Sequence, residues 1–468
     1  MTLTTTSAID LAADIRSGQR SAEEVMQSTL DRIAAVNPDL NAVVAMHDPD
    51  TLLAEARACD QGPNRGPLHG LPIAVKDLVN VKDLPTSMGS PIFADTVAES
   101  DDMLAARMRA AGAILIGKTN VPEFGLGSHT FNPVYGATGN PYAPALSCGG
   151  SSGGAAVALA TGMVPLADGS DMMGSLRNPA GWSNVYGFRP SWGRVPSEPL
   201  GDTFVHQMAT LGPMARSPAD IALLLDVIAQ PDPRQPYSGQ PAPVAPLRPA
   251  DPKGMRIGWL GDWGGAFPMD PGIKEQTETA LKVFETLGAH VEVVAPPFDA
   301  EVIWDSWITL RSWQLAGALA EFHAKHPELM KDSAIWEVER GLAFSGTEIH
   351  RATVQRSDWF RTASALFDSY DALILPCAQV WPFDLNTPYP KEIAGVQMDT
   401  YHRWMHVVVP VSLLGLPALS IPAGFGQNGL PSGAQLIGRR DCDAEVLALG
   451  EAYHQATLWP QTRPAMAG

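Results

Sequence analysis

Residues 149–196 read GGSSGGAAVALATGMVPLADGSDMMGSLRNPAGWSNVYGFRPSWGRVP. Two glycine-flanked serine sites lie in this stretch, Ser151-Ser152 inside GGSSGG and Ser175 inside MMGSLRNP. The apolar run between them predicts a helix followed by a short strand. Glycine beside a serine lets the backbone approach a bound carbonyl and adopt dihedrals that a side chain forbids. One such site alone reads as a glycine turn with incidental serines. Two at this separation point to convergence on one substrate.

Acyl transfer needs an exposed hydroxyl beside free N–H groups. Ser175 follows Asp171-Met172-Met173-Gly174, where few side chains compete for the local amides, so the N–H groups of Met172, Met173, Gly174 and Ser175 are candidates for an oxyanion hole. That makes Ser175 the better nucleophile candidate. A serine needs a base, usually histidine, and residues 149–196 contain none. A lysine serves if burial leaves it neutral near pH 7. Leu71 to Val75 predict a buried strand that carries Lys76 into the interior, and Lys118 is the main competitor.

Taken together these segments resemble the amidase signature family of serine hydrolases. The matching residues are Val75-Lys76-Asp77, Gly149 to Gly154, and Gly174-Ser175-Leu176-Arg177-Asn178-Pro179-Ala180. Gly415-Leu-Pro-Ala-Leu-Ser-Ile-Pro422 and Gly429-Leu-Pro-Ser-Gly-Ala-Gln435 match the family's closing segment, so the resemblance covers nearly the whole chain. It implies a large mixed central β-sheet covered by helices on both faces, in one domain over residues 1–468. It also implies a Ser–cis-Ser–Lys triad with Ser175 as nucleophile, Ser151 as bridge and Lys76 as base, and no cofactor or metal. By the same resemblance Gly125 and Ser151 lie beside the acyl portion of the substrate. Asp171 and Arg177 then brace the nucleophile loop, and Ser170 keeps a hydroxyl where threonine is often seen. Two departures stand out: Met173 replaces a glycine, and Gly187-Phe188-Arg189-Pro190-Ser191 replaces Gly-Leu-Lys-Pro-Thr. Met173 leaves the backbone amides intact and changes the room beside the acyl group.

The implied activity is hydrolysis of a non-peptide carboxylic amide through a seryl acyl-enzyme, giving an acid and ammonia or an amine. Linear and cyclic amides, aryl or bulky apolar ones among them, fit the expectation. The same fold also serves as the glutaminase subunit of tRNA-dependent amidotransferases; against that alternative, Val121-Pro122-Glu123-Phe124 lacks the Met-Asp-Glu-Phe pattern typical there. A second alternative is an esterase built on Ser152, because Gly150 to Gly154 fits the G-x-S-x-G elbow. That elbow needs a preceding strand, whereas residues 140–148 carry two prolines and predict a loop. His402, His406 and His454 are accordingly expected to be structural or solvent-facing. A non-catalytic binding protein is a third class, disfavoured by the intact triad.

Composition sets outer bounds. The 468 residues carry a formal net charge of −18 and 45% hydrophobic residues, which supports neither nucleic-acid binding nor association with an anionic membrane. Cys59, Cys148, Cys377 and Cys442 are scattered without metal-ligand spacing, the pattern of reduced thiols in a cytoplasm. The N-terminal residues lack an export signal and no segment is long enough to span a bilayer. A cytoplasmic protein acting on a small-molecule amide is expected, and a homodimer enters only through the resemblance.

Residues 1–60 predict helices, with a capping box at Ser21 and Glu24. A further helix near 102–111 leads into Ala113-Ile-Leu-Ile116. Gly112 to Thr119 formally matches the phosphate-loop pattern, but its four intervening residues are apolar and β-prone, so a strand lies inside the motif and ATP binding is set aside. Residues 230–253 predict a proline-rich surface linker. Strands are expected at 255–260, 290–294 and 370–376, with a helix at 273–287. Seven tryptophans fall between Trp304 and Trp404, around a helical segment at 300–365 that in the family covers the substrate funnel. Core packing and pocket lining both remain open for them, as for Cys377.

Overall fold

The computed structural model describes residues 3–467. Its strands, in chain order, are β1 (Val43–Met46), β2 (Pro72–Lys76), β3 (Ile114–Thr119), β4 (Phe131–Asn132), β5 (Gly136–Ala137), β6 (Leu166–Asp171), β7 (Tyr186–Arg189) and β8 (Thr210–Ala215). They continue with β9 (Arg256–Trp259), β10 (His290–Val293), β11 (Ala372–Pro376), β12 (Glu392–Ile393), β13 (Val396–Gln397), β14 (Ala418–Phe425) and β15 (Pro431–Ile437). Eleven of them form one mixed sheet in the order β1-β3-β2-β6-β8-β7-β14-β15-β11-β9-β10, while β4-β5 and β12-β13 are separate two-stranded pairs.

The centre of the sheet is apolar on both faces. β2, β3, β11 and β15 are buried at every residue. Such strands read as continuous hydrophobic runs because helices cover both sides. β2 runs parallel to both β3 and β6, so their C-terminal ends open at one edge, and Lys76, Thr119 and Asp171 are those ends. Parallel neighbours need crossovers, and the helices Met103–Ala110 and Gly153–Ala160 supply two of them.

The helix Ala22–Leu40 begins at the expected capping box, with Ser21 and Glu24 satisfying each other's backbone N–H groups. The all-helical expectation for residues 1–60 fails at β1, which pairs antiparallel with β3. Its four residues are too few for an alternation to register, and only the exposed edge of β3 makes Val43–Met46 a strand. β3 occupies the interior of the phosphate-loop match, fully buried, which removes any loop there to wrap an anion. Strands β9, β10 and β11 and the helix Ile273–Thr286 lie where periodicity places them. No helix or strand occurs between Ile228 and Arg256.

Three helices, Ala300–Lys325, Asp332–Ala343 and Gly346–Leu366, pack beside a second apolar cluster. Trp304, Trp307, Trp359 and Trp404 are buried in it, with Trp182 stacked on Trp404 at 6.0 Å between centroids. Among the described residues no helix is long and apolar enough to cross a membrane.

Candidate active site

Lys76 ends β2 in the interior. Its Nζ lies 2.9 Å from Ser151 Oγ, 2.9 Å from Ser152 Oγ and 2.9 Å from Ser170 Oγ, with only 1% of the residue exposed. Burial pulls the ammonium down to about 7, against the Asp168 and Asp171 carboxylates that favour the charged form. The competitor Lys118 lies elsewhere: its Nζ bonds Val79 O and Thr86 Oγ1 and stands 3.7 Å from Asp77, with no serine of the two loops in reach.

β6 explains how one strand serves both sides of the site. Side chains alternate along a strand, so Asp168 and Ser170 share one face and Asp171 takes the other. Asp168 Oδ1 accepts the Lys76 backbone N–H at 2.9 Å and Ser170 Oγ meets Lys76 Nζ. Burial pushes the Asp168 carboxyl up to about 6, opposed by that N–H and by the lysine charge. On the opposite face Asp171 pairs with Arg177 at 3.0 Å and Arg189 at 3.0 Å, all with side chains 0% exposed. Burial alone would raise the Asp171 carboxyl, but the Arg177 and Arg189 charges outweigh it and hold it well below the usual carboxylate range. Arg177 also reaches Gln435 and Ser412, so β15 and the helix Val409–Leu414 help to fix the nucleophile loop.

The two serine loops are tied together directly. Ser152 N–H donates to the Ser175 carbonyl at 3.2 Å, and Gly150 N–H donates to Asn178 Oδ1 at 3.2 Å. The Gly150–Ser151 peptide bond is cis. Ser151, Ser170, Met172, Met173 and Ser175 line a cavity of ≈ 160 Å³ together with Gly125. A Cβ on Gly125 would stand 3.7 Å from Ser151 Oγ and 2.7 Å from Leu78 Cδ1, so only glycine leaves that wall flat. No hydrogen bond joins Ser175 Oγ to Ser151 Oγ; such bonds are often long before a substrate tightens them. Ser152 is absent from the cavity wall, fully buried against Lys76 and at the N-terminus of the helix Gly153–Ala160 with no strand before it. The elbow expectation therefore lacks both its strand and its exposure.

The oxyanion expectation needs one correction. Gly174 N–H donates to Asp171 Oδ1 at 2.9 Å and Leu176 N–H to Asp171 Oδ2 at 3.2 Å. Asp171 thus competes for the loop amides, contrary to the expectation of few competing side chains, and Gly174 has no N–H left for a substrate. The amides of Met172, Met173 and Ser175 meet no protein acceptor among the described residues.

A second correction concerns His402. It is buried, lines the same cavity as Ser175, and packs against Trp304, Trp307, Trp336 and Tyr401. His406 is also buried, at 3.2 Å from Ala300 O, and His454 approaches Tyr186 OH at 3.1 Å, so neither can activate a serine. Beyond Leu126, Gly127 and Ser128 lies a larger cavity of ≈ 500 Å³, walled by Phe131, Trp336, Tyr389, Tyr401 and Trp404. Trp336 and Trp404 line this cavity, Trp304, Trp307 and Trp359 are buried in the core, and Trp313 and Trp381 are half-buried. Cys377 faces the core, with its Sγ 3.2 Å from Ser420 Oγ. All four cysteines are free, and among the described residues no group of three His, Cys, Asp or Glu is placed to hold a metal ion.

Three further residues carry little signal in the sequence. Asp168 is an acid following the apolar Leu166-Ala167 start of β6, Arg189 stands where the family pattern has lysine, and Arg311 interrupts the apolar run of the helix Ala300–Lys325. Each is a charge at a position whose neighbours are buried, and that mismatch is the only local signal.

A family model described as Amidase matches residues 24–447. An acylamidase from Rhodococcus erythropolis is 34% identical over 468 aligned residues, covering 98% of this chain and 97% of that protein. A glutamyl-tRNA(Gln) amidotransferase subunit from Chloroflexus aurantiacus is 34% identical, over 97% of each chain. Among solved structures, a bacterial aryl acylamidase belonging to the amidase signature enzymes superposes with a TM-score of 0.92 at 30% identity, covering 99% of this chain and 98% of that one.

Proposed function

The chain belongs to the amidase signature family and hydrolyses the C–N bond of carboxylic amides, and from that premise we propose that Ser175, Ser151 and Lys76 carry the reaction on an amide with an aryl or bulky apolar amine portion. Neutral Lys76 takes the Ser151 proton, Ser151 takes the Ser175 proton, and Ser175 Oγ attacks the carbonyl carbon. The N–H groups of Met172, Met173 and Ser175 hold the negative oxygen, at about 3–4 kcal/mol per donor in comparable sites. The relayed proton leaves with the amine, and water cleaves the acyl-serine to free the acid.

The observation that carries this reading is the placement of Lys76 Nζ 2.9 Å from Ser151 Oγ, in a site whose burial pulls the lysine down to about 7, while Ser151 and Ser175 share one cavity wall. A lysine of ordinary basicity could not act as a base at neutral pH.

The cavity volumes support the substrate class. The ≈ 160 Å³ cavity beside Ser175 suits an acyl group no larger than about a benzene ring. The adjoining ≈ 500 Å³ cavity with its aromatic wall suits the amine portion. Activity against a panel of aliphatic amides, anilides and nitrophenyl esters tests the reading. Anilides turned over faster than aliphatic amides of the same acid support it, and equal rates remove the aryl preference.

The glutaminase-subunit reading is supported by the 34% identity to a component of a tRNA-dependent amidotransferase. Glutamine as a substrate better than any anilide would favour it.

A further inference from the structure

The small cavity has a pole that the hydrolytic steps do not use. Arg311 lines it beside Met172 and Ser175, with a side chain only 5% exposed. Nε donates to Glu337 Oε1 at 2.7 Å and Nη2 donates to Tyr401 OH at 2.9 Å. Among the described residues Nη1 meets only the Met172 sulfur, at 3.1 Å. A thioether is a weak acceptor, and a guanidinium cannot shed its protons, so this end of Arg311 keeps a donor without an oxygen partner. Met172 stands in the nucleophile loop itself and lines the same cavity as Ser175, the one assigned above to the acyl group.

The back of the cluster is closed. Glu337 accepts from Arg311, from Ser312 Oγ at 2.6 Å and from Tyr401 OH at 2.8 Å. His402 Nε2 lies 3.4 Å from Glu337 Oε1, its Nδ1 is at 2.7 Å from Thr400 Oγ1, and burial pulls the imidazole towards its neutral form. The cation is therefore matched by one anion, and the cavity offers a directed donor without surplus charge.

We propose that Arg311 is a specificity-determining residue: its Nη1 donates to a neutral oxygen acceptor, a carbonyl, ether or hydroxyl oxygen, on the acyl chain of the amide. A plain hydrocarbon chain leaves that donor buried without a partner, the condition under which a polar site rejects an analogue lacking the group. The inference rests on Ser175 as the nucleophile at this cavity.

The test compares kcat/KM for valeramide, for levulinamide, which adds a ketone to the same chain, and for succinamate, which ends in a carboxylate, with acetanilide as a control. The variants are Arg311→Met combined with Glu337→Gln, which leaves no buried unpaired charge, and Arg311→Lys. The readout is the levulinamide-to-valeramide ratio, which a reduced folded fraction does not move. The parent is expected to favour levulinamide by roughly tenfold to a hundredfold, the double variant to lose that factor, and Arg311→Lys to keep part of it. A ratio unchanged in the double variant overturns the assignment, as does a parent that favours valeramide or succinamate. A parent that cleaves acetanilide but none of the three chains also overturns it while leaving the hydrolytic reading in place. Inactivity on all four overturns both.

Discussion

The backbone N–H of Lys76 donates to Asp168 Oδ1 at 2.9 Å, joining the end of β2 to β6 at the level of the candidate base. Both residues are buried and, among the described residues, the second carboxylate oxygen of Asp168 has no partner. Two opposed influences therefore set the lysine: burial favours the neutral amine, and the carboxylate favours the ammonium. Burial prevails, which is the condition for a lysine to accept a proton from serine near neutrality.

The pH profile follows from that balance. The neutral amine is the active form, so kcat/KM on an anilide should rise about tenfold per pH unit below about 7 and level off above it. A profile that stays flat down to pH 5 would remove Lys76 as the base.

Asp168→Asn should move the same limb. Removing the negative charge withdraws support from the ammonium, so the lysine becomes less basic and the limb shifts to lower pH. An unmoved limb would show that Asp168 acts only by holding the strand.

The serines should separate by role. Ser175→Ala, Ser151→Ala and Lys76→Ala are each expected to lose roughly a thousandfold or more in kcat. Ser152→Ala removes one acceptor from Lys76 but nothing from the cavity wall, and should cost about tenfold or less. Steady-state rates corrected by active-site titration decide this, and a Ser152 variant as inactive as Ser175→Ala would reopen the elbow.

Asp171→Asn strands two buried guanidinium groups, Arg177 and Arg189, and should destabilise the fold by roughly 3–5 kcal/mol in urea unfolding. The carboxyl is depressed in the folded state, so its contribution is complete above the unfolded value of about 3.9 and is lost as pH falls below it. The parent should therefore lose stability below about pH 4 more steeply than the variant.

Met173→Ala should widen the acyl cavity. Met173 is buried in the second apolar cluster and lines the cavity wall, so its truncation costs roughly 2–5 kcal/mol while making room for larger acyl groups. The ratio of kcat/KM for a branched over an acetyl anilide should rise, and a ratio that falls would place the acyl group elsewhere.

Much of the site was legible because its parts are local. GGSSGG and MMGSLRNP announce tight turns, Leu71 to Val75 announce a buried strand ending in a lysine, and Ser21 with Glu24 announces a helix start. In each case the residues that specify the structure are neighbours in the chain, so turn chemistry and hydrophobic period suffice. The same reasoning placed a strand inside the Gly112 to Thr119 match, because four consecutive apolar residues cannot form a phosphate-binding loop.

What the chain order could not settle was decided by contacts between distant segments. β1 exists because β3 offers it an edge, and Gly174 loses its N–H because Asp171 folds back onto its own loop. His402 and Arg311 reach the cavity from segments far along the chain from Ser175, held there by Glu337. The sequence by itself determined the family, the strands whose apolar runs are continuous, such as β2, β3 and β11, and the candidacy of Lys76, Ser151 and Ser175. Only the tertiary structure decided which charges face the cavity, because a buried charge is stable only beside its partner, and partners are chosen by packing rather than by spacing.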